Sequence, residues 1–421
     1  MSRLLYSLAI HLMIPWALVH LAWRARRQPE YLRHVGERLG FFPPAGNRPL
    51  VWLHAVSVGE TRAAEPLIRL LQSRHPERRI LLTHGTPTGR QAGAELFGSE
   101  VTQAYLPYDF PWAARRFLRH YRPVAALFLE TELWPNLVRA CRRQGVPAYL
   151  VNARMSEKSA RGYRFLAPLT RATLRGLSAI GSQTEGDAQR LRQLGAEKVA
   201  VTGNLKFDRT VPPEMLERGQ RLRAVLGGSR PIFLAASTRD GEETLILDGL
   251  ARPPVPRLLT IIVPRHPQRF DEVAAFVQGS GLSLARRSTW SAEPPPRDCA
   301  ADVWLGDSLG EMALYYAAAH VALLGGSFAP LGGQNLIEAA ACGCPVVMGP
   351  HTFNFADAAE LALHAGAAIR VADLTEGVAR CVGLVGQADL PTSGERASSF
   401  AASHRGAAKR MAVAVAELFS R

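Results

Sequence analysis

From Pro49 onward, short β-rich runs alternate with amphipathic helical stretches, and this alternation constrains the fold more than any other feature of the chain. It is typical of a parallel sheet covered by helices on both faces. Before residue 205 the runs predict strands at 50–56, 78–85, 102–108, 124–130, 147–153, 178–183 and 198–204. After residue 230 they predict strands at 231–237, 257–267, 282–288, 302–308, 320–328 and 344–350. The predicted fold class is therefore α/β with parallel sheets.

The stretch 207–231 separates these two series, because it is polar and contains a Pro pair and a Gly pair. With 421 residues, the chain is also longer than one hydrophobic core usually supports. We therefore predict an anchor segment at 1–30, followed by two Rossmann-like domains, at 31–210 and 211–421, that face each other across a cleft. In such sheets ligands bind at the carboxyl ends of the strands.

The segment Leu4–Trp23 contains no Asp, Glu, Lys or Arg, and a helix of about 20 residues is just long enough to cross a bilayer core. His11, Pro15 and His20 weaken this signal. The segment predicts a membrane-anchor helix that either spans the bilayer or lies in its interface. An ordinary buried first helix is the alternative.

Arginines cluster directly after this segment, at Arg24, Arg26 and Arg27, whereas only Arg3 precedes it. By the positive-inside rule, the main body is predicted to lie on the cytoplasmic side of the membrane. The formal net charge of +14 favours an anionic partner, such as acidic lipid or a phosphorylated substrate. Nucleic acid is the weaker interpretation, because the chain has no zinc-finger, RNP or basic-zipper motif.

The run VWLHAVSVGE places Glu60 at the start of a helix, directly after an apolar strand and a turn that Gly59 permits. A helix amino terminus favours negative charge, so we expect Glu60 to stay ionised and to accept a proton from a hydroxyl. A helix-capping acid is an equally good interpretation of this segment alone.

Two carboxylates, Glu130 and Glu132, follow the fourth predicted strand before Pro135 opens a helix. They can orient a sugar or stabilise positive charge at an anomeric carbon, and capping of the next helix is the alternative. Lys206 follows the seventh predicted strand, where a compact cation can meet a phosphate or a carboxylate. A plain surface lysine is the alternative there.

The second half of the chain carries signals typical of phosphate binding. Ser237 and Thr238 end a strand before a helix start, where hydroxyls and free amides can cradle an anion. Arg265 and His266 lie in the rigid PRHP loop after the next strand. Arg265 can pair with a phosphate, whereas His266 also fits a structural histidine.

The segment LLGGSFAPLGGQNLIEAAACGCPVV contains two glycine pairs, at 325–326 and 332–333. Glycine lets the backbone approach a ligand closely, and the helix that begins near Asn335 aims its amide donors at the same place. Glu338 lies in the first turn of that helix, where a carboxylate can accept hydrogen bonds from two ribose hydroxyls. A buried helix would explain the alanines but not the glycines or the acid.

Together these motifs closely resemble the 3-deoxy-D-manno-octulosonic acid (Kdo) transferases of lipopolysaccharide synthesis, which have the two-domain fold called GT-B. The resemblance extends along almost the whole chain. It rests on the apolar N terminus and on HAVSVGE at 54–60, ETELWPN at 130–136, GNLKFD at 203–208, PRHP at 264–267 and GGQNLIEAAACGCPVVMGPHTFNF at 332–355.

The resemblance implies an inverting glycosyltransferase that moves Kdo from CMP-Kdo to a tetraacylated lipid A precursor, lipid IVA, and releases CMP. It implies that the first domain binds the acceptor, that the second binds the nucleotide sugar, and that the enzyme works at the bacterial inner membrane. Carried over by position, Glu60 resembles the general base, and Glu130 and Lys206 resemble the groups that stabilise the transition state. The nucleotide-sugar site implied by this position-by-position match and by the strand-end signals comprises Ser237, Thr238, Arg265, His266, Leu309, Gly310, Glu311, Gly326, Ser327, Asn335, Leu336, Ile337 and Glu338.

The resemblance also implies that no cofactor or divalent metal takes part, and the chain has no DxD motif. The five cysteines show no CxxC spacing and predict no metal site. Two rivals remain: a GT-B-like nucleotide-sugar epimerase, which would need no lipid anchor, and a membrane scaffold, which would not need Glu60 and Lys206. A different lipid-linked glycosyltransferase is a further alternative to the Kdo transferase.

Overall fold

The structure is a computed structural model that describes residues 3–44, 46, 48–226, 230–250, 255–291, 298–385, 387 and 390–419. The chain divides into two compact units. Unit 1 comprises Met1–Arg209 with His404–Arg421, and unit 2 comprises Thr210–Ser403. Each is an α/β unit of its own.

Unit 1 contains a seven-stranded parallel sheet in the order β3-β2-β1-β4-β5-β6-β7. Its described strands are β1 (Leu50–His54), β2 (Arg79–His84), β3 (Val101–Tyr105), β4 (Ala125–Leu129), β5 (Ala148–Ala153), β6 (Ala179–Ser182) and β7 (Val199–Val201). Its first described helices are α1 (Arg3–Leu12), α2 (Ile14–Ala25), α3 (Val35–Arg38), α4 (Val58–Arg74), α5 (Pro87–Phe97), α6 (Pro111–Tyr121), α7 (Pro135–Arg143), α8 (Glu157–Phe165), α9 (Ala167–Leu174) and α10 (Glu185–Gln193).

Unit 2 contains a second seven-stranded parallel sheet, in the order β10-β11-β9-β8-β12-β13-β14. Its described strands are β8 (Ile232–Thr238), β9 (Leu259–Pro264), β10 (Leu284–Arg286), β11 (Val303–Leu305), β12 (Val321–Leu324), β13 (Val346–Met348) and β14 (Ala368–Arg370). Its described helices are α11 (Pro213–Val225), α12 (Glu242–Leu250), α13 (Phe270–Gly279), α14 (Met312–Ala318), α15 (Leu336–Ala341), α16 (Ala356–His364), α17 (Leu374–Val385) and α18 (Leu390–Ser403).

The predicted fold class is confirmed in both units, and each predicted strand overlaps a strand of the structure. Side chains from β1 show why the sheet is covered on both faces. Trp52 is fully buried in one core cluster, whereas its neighbours Val51 and Leu53 are buried in the cluster on the other face. The strand β14 was not predicted, because it has only three residues and its last, Arg370, is exposed.

The last helix, α19 (Ala407–Phe419), belongs to unit 1 and not to the predicted second domain at 211–421. Met411 and Val415 are fully buried in the unit 1 core, next to side chains from β1 and α4. The carboxylate of Asp208 also accepts hydrogen bonds from the amides of Gly406 and Ala408. The chain therefore returns to its first unit, because the apolar face of α19 is buried there.

The predicted single anchor helix is instead two helices, α1 and α2, which are bent by 48° at Met13. Pro15 lies in the first turn of α2, where it lacks an amide hydrogen and its ring excludes a continuous helix. No single described helix has both the length and the apolarity to cross a bilayer. The α1–α2 pair reaches that length and composition only when its two members are taken together.

Candidate active site

The carboxylate of Glu60 closes a capping box at the start of α4. Ser57 is the N-cap residue, and its side chain accepts a hydrogen bond from the Glu60 amide at 3.3 Å. In return, the amide of Val56 donates to Glu60 Oε2 at 2.8 Å, and Ser57 Oγ donates to Glu60 Oε1 at 3.0 Å. The helix-capping interpretation of Glu60 is thus correct in its geometry. The hydrogen bonds of the capping box fix the position of the carboxylate.

The environment of Glu60 makes its carboxylate more basic than the helix start alone would. Burial raises the pKa of Glu60 to about 7, and the charge of nearby Glu130 adds to the rise. The hydrogen bond from the Val56 amide acts in the opposite direction. With a pKa of about 7, Glu60 is only partly ionised near neutral pH, because burial outweighs the favourable helix terminus.

Glu130 and Lys206 come together in unit 1. Glu130 directly follows β4 and has a left-handed backbone with a φ of 55°, which is uncommon for a residue with a side chain. Lys206 Nζ lies 4.0 Å from Glu130 Oε1, and each side chain is about one-fifth exposed. Because Glu130 also acts on the pKa of Glu60, the three predicted residues form one charged group.

Asn152, which the sequence did not single out, holds the segment that carries Lys206. Its side-chain oxygen accepts from the Leu205 amide at 3.0 Å, at the start of the short 3-10 helix Leu205–Asp208. Asn152 lies on β5, next to β4 in the sheet, and its own φ is 53°. This bond therefore explains how a residue after the edge strand β7 reaches Glu130. In the sequence, the signal that could have indicated this role is a single asparagine within an apolar strand.

Glu132 lies beside the group of Glu60, Glu130 and Lys206, but its carboxylate contacts other side chains of unit 1. Its carboxylate accepts from Trp134 Nε1 at 2.8 Å and lies 3.7 Å from His54 Nε2. His54 ends β1 and is fully buried, and its Nε2 has no hydrogen-bond partner within the described part of unit 1. The sequence-based interpretation did not consider His54 as a site residue, although it opens the motif HAVSVGE.

In unit 2 the predicted residues lie at the carboxyl ends of four adjacent strands. Ser237 and Thr238 end β8, Arg265 and His266 follow β9, and Gly326 follows β12. Leu309, Gly310 and Glu311 follow β11 beyond a short loop. Ser237 has a φ of 56°, so this strand end carries the same kind of backbone strain as Glu130 in unit 1.

The hydroxyl of Thr238 is bound within the protein and is not turned to a ligand. Thr238 is fully buried, and its Oγ1 donates to Glu243 Oε1 at 2.7 Å. Arg269 Nη1 donates to the same oxygen, also at 2.7 Å. Thr238 therefore joins the end of β8 to the start of α12, and of the predicted pair only Ser237 remains as a candidate for anion contact.

A group of arginines surrounds His266. Arg239 Nη1 donates to His266 Nε2 at 2.6 Å, so this nitrogen carries a lone pair and the ring is neutral. Partial desolvation lowers the pKa of His266, and the nearby charges of Arg239, Arg265 and Arg269 lower it further. Both Arg265 and His266 are exposed. The positive charge at this strand end suits a phosphate.

Glu242 holds the first glycine pair in place, and sequence reasoning missed it. Its carboxylate accepts from the Gly326 amide at 2.8 Å and from the Arg239 amide at 2.9 Å. Gly326 has a φ of 68°, and a side chain at Gly325 would collide with the Ser237 carbonyl and with Glu242. The loop after β12 is therefore fixed against β8. In the sequence, the signal that could have indicated this role is the acidic pair in RDGEE.

The remaining residues of the glycine-rich segment mostly serve the framework. Ser327 is fully buried, and its Oγ donates to the Leu324 carbonyl and accepts from the Gly349 amide. Asn335 is the N-cap of α15 and accepts from the Ile337 amide at 3.2 Å. The side chains of Leu336 and Ile337 are buried, so only their backbone atoms can contact a ligand. Glu338 is half-buried in the first turn of α15, as predicted.

Glu311 is an ion-pair centre within unit 2. Its Oε1 accepts from Arg218 Nη2 at 2.7 Å and from Arg287 Nη2 at 2.9 Å. Burial opposes ionisation, but Ser308 and these arginines hold the pKa of Glu311 below its usual range. By contrast, Leu309 is 77% exposed, and Gly310 has a φ of 81°. The turn therefore offers its backbone, and not the Glu311 carboxylate, to a ligand.

No group of three or more His, Cys, Asp or Glu side chains is arranged to hold a metal ion among the described residues.

The likeness to solved structures defines the class of fold. A glycosyltransferase from Rickettsia africae is 12% identical, with a TM-score of 0.56 over 89% of this chain and 98% of that chain. A UDP-GlcNAc 2-epimerase from Neisseria meningitidis, 15% identical, matches with a TM-score of 0.55 over 88% of this chain and 99% of that chain. The protein therefore has the two-domain Rossmann-like fold called GT-B, which transferases and epimerases share.

Sequence relatives define the family. Residues 33–209 match the family described as 3-Deoxy-D-manno-octulosonic-acid transferase (kdotransferase). The 3-deoxy-D-manno-octulosonic acid transferase of Bordetella pertussis is 46% identical over 97% of this chain and 98% of its own length. That of Haemophilus influenzae is 35% identical over 91% of this chain and 90% of its own length. The chain belongs to the Kdo transferase family of glycosyltransferases, and the epimerase interpretation is set aside.

The contacts of Gly325 generate a stability prediction. In Gly325→Ala the new methyl carbon would lie 2.6 Å from the Ser237 carbonyl oxygen and 2.8 Å from Glu242 Oε2. Because one of these atoms is backbone, we expect a loss of about 1–3 kcal/mol in the free energy of unfolding. The control is Gly383→Ala in α17, where the methyl group meets nothing within 4 Å and should stabilise by about 0.5–1 kcal/mol. Urea unfolding of the two variants measures the difference, and equal stabilities would contradict the proposed contact.

Proposed function

We propose that this protein transfers Kdo from CMP-Kdo to the sugar hydroxyl of an acylated lipid A precursor, lipid IVA, with inversion at the anomeric carbon. The observation that carries the proposal is the group formed by Glu60, Glu130 and Lys206 in a member of the Kdo transferase family. Unit 1 supplies this group and binds the acceptor. Unit 2 binds the nucleotide sugar.

Glu60 acts as the general base in the proposed reaction. Its carboxylate takes the proton of the acceptor hydroxyl while that oxygen forms a bond to the anomeric carbon of Kdo. The bond from the anomeric carbon to the phosphate oxygen breaks, and CMP leaves with the electron pair. A base is most effective when its pKa is close to the working pH, and burial raises the pKa of Glu60 to about 7.

Lys206 and Glu130 stabilise the transition state. The ammonium group of Lys206 offsets negative charge that develops near the transferring sugar, and Glu130 at 4.0 Å holds it in position. The carboxylate of Glu130 also favours positive charge at the anomeric carbon. Two carboxylates and one ammonium group thus supply both signs of charge that a single inverting displacement needs.

The proposed donor site of unit 2 uses the strand ends around β8. Arg265 binds the phosphate of CMP, next to Arg239 and His266. Glu338 accepts hydrogen bonds from the ribose hydroxyls, and the amides after Asn335 and around Gly326 approach the nucleotide through backbone atoms. Thr238, Ser327 and Glu311 act indirectly, because their side chains hold these loops.

We further propose that the protein works on the cytoplasmic side of the bacterial inner membrane. The exposed apolar side chains of α1 and α2 and the arginines that follow α2 support an attachment in the interface of the bilayer. On the family resemblance, we also propose that transfer needs neither a cofactor nor a divalent metal and continues in EDTA.

The first test is Glu60→Gln. This change keeps the shape of the side chain but removes the proton acceptor, so we expect at least a 100-fold loss of kcat, on the order of what general-base catalysis contributes. Binding of CMP should persist, because the nucleotide site lies in unit 2. Glu65→Gln, five residues further along α4, is the matched control and should retain activity. Substantial turnover by Glu60→Gln would reject Glu60 as the base.

The second test is the pH dependence of transfer. Glu60 must be deprotonated to act, so kcat should rise with pH through about 7 and level off above it. Ser57→Ala removes one hydrogen bond to the carboxylate, which should shift this rise to higher pH. Steady-state rates with saturating CMP-Kdo measure both profiles. A rate that is flat between pH 5 and about 8, where such a group titrates, would contradict the assignment.

A further inference from the structure

Polar contacts hold the helix α1 against unit 1. The Tyr6 hydroxyl donates to Asp109 Oδ2 at 3.0 Å, and Ser7 Oγ donates to Asn136 Oδ1 at 3.1 Å. Asp109 also accepts from the Asn136 and Leu137 amides at the start of α7. The first helix is therefore fixed beside α6 and α7, with a defined face toward them.

A groove of about 240 Å3 lies between α1, α6 and α7. Four of its six polar lining residues are arginines: Arg3, Arg115, Arg139 and Arg143, beside Ser7 and Asn136. A second groove of about 130 Å3 shares Arg3 and Arg139 and adds Arg142. Five arginines from three helices thus converge on one small region of the surface.

These five arginines have no acidic partner in the part of the chain that the structure describes. Within the described ranges none of the five forms an ion pair, and the buried Nε of Arg139 has no hydrogen-bond partner. Burial lowers the pKa of Arg139, and the charges of Arg3, Arg143 and Arg142 lower it further. Asp109, the acid that joins α1 to α7, is bound by Tyr6 and backbone amides. Like charges held this close are stabilised by an anion.

The same helix also presents apolar side chains beside the groove. Leu4, Leu5, Leu8 and Leu12 of α1 are 71%, 56%, 57% and 73% exposed. Trp16, Val19 and Trp23 of α2 are exposed as well. Free phosphate would bind the arginines but would not contact these apolar side chains. A ligand with an anionic head and acyl chains would use both.

We propose that the groove between α1, α6 and α7 binds the phosphate group of an anionic phospholipid, whose acyl chains lie along the exposed leucines of α1. The occupant is a bulk lipid of the membrane and not the sugar acceptor. The inference rests on the proposed membrane location. Beyond that location, it assigns a defined site for a lipid headgroup. Guanidinium groups bind phosphate in a bidentate manner, which suits Arg139 and Arg143 on successive turns of α7.

The test measures how much anionic lipid improves vesicle binding. The full chain is mixed with vesicles of phosphatidylcholine, with or without phosphatidylglycerol, and partition coefficients are determined by co-sedimentation. For the wild type we expect the ratio of the two coefficients to be well above one. In Arg139→Gln/Arg143→Gln it should fall about 30-fold, or about fivefold for each charge removed.

Two further variants separate a site from diffuse charge. Arg74→Gln/Arg161→Gln removes the same charge from exposed positions of α4 and α8, and it should leave the ratio unchanged. Arg139→Lys/Arg143→Lys keeps the charge but loses the bidentate geometry, so it should restore the ratio only in part. Thermal melting checks that each variant is folded.

Several results would overturn the inference. These are an unchanged ratio in the glutamine variant or full recovery in the lysine variant. A higher KM for the acceptor with an unchanged lipid ratio would assign the groove to the acceptor. Vesicle binding that does not depend on phosphatidylglycerol would contradict this inference alone. Failure to bind any vesicle would also contradict the proposed membrane location.

Discussion

The hydrogen bonds around the Glu60 carboxylate are the interaction on which the rest of the account depends. Ser57 and the Val56 amide hold both carboxylate oxygens at the start of α4. The same placement buries the group near Glu130, which makes it a stronger base. Capping and the proposed catalytic role of Glu60 are therefore compatible, because the cap determines where the proposed base lies.

Both units use the ends of parallel strands in a similar way. A residue with a left-handed backbone ends or directly follows a strand in each, Glu130 in unit 1 and Ser237 in unit 2. Such strain persists only where the surroundings enforce it. Nearby, Asn152 binds the segment that carries Lys206, and Glu242 binds the loop of Gly326. In both units, buried polar side chains thus hold the segments that carry the candidate site residues.

Strand positions and strand ends were predictable from the sequence, because alternation and glycine placement are local signals. Glu60, Glu338 and Arg265 were located correctly for this reason. The partners of Ser327 and Glu311 were not predictable, because their hydrogen bonds join segments far apart in the chain. Glu243, the local partner of Thr238, is likewise bound by the more distant Arg269. The return of α19 to unit 1 and the bend before Pro15 likewise depend on tertiary packing and on one local steric clash.

The most direct test of the central claim is the product of the purified protein with CMP-Kdo and lipid IVA. We expect mass spectrometry to show lipid IVA that has gained Kdo, together with an equal amount of released CMP. Lipid IVA of unchanged mass after CMP-Kdo has been consumed, or transfer from a different nucleotide sugar only, would contradict the account.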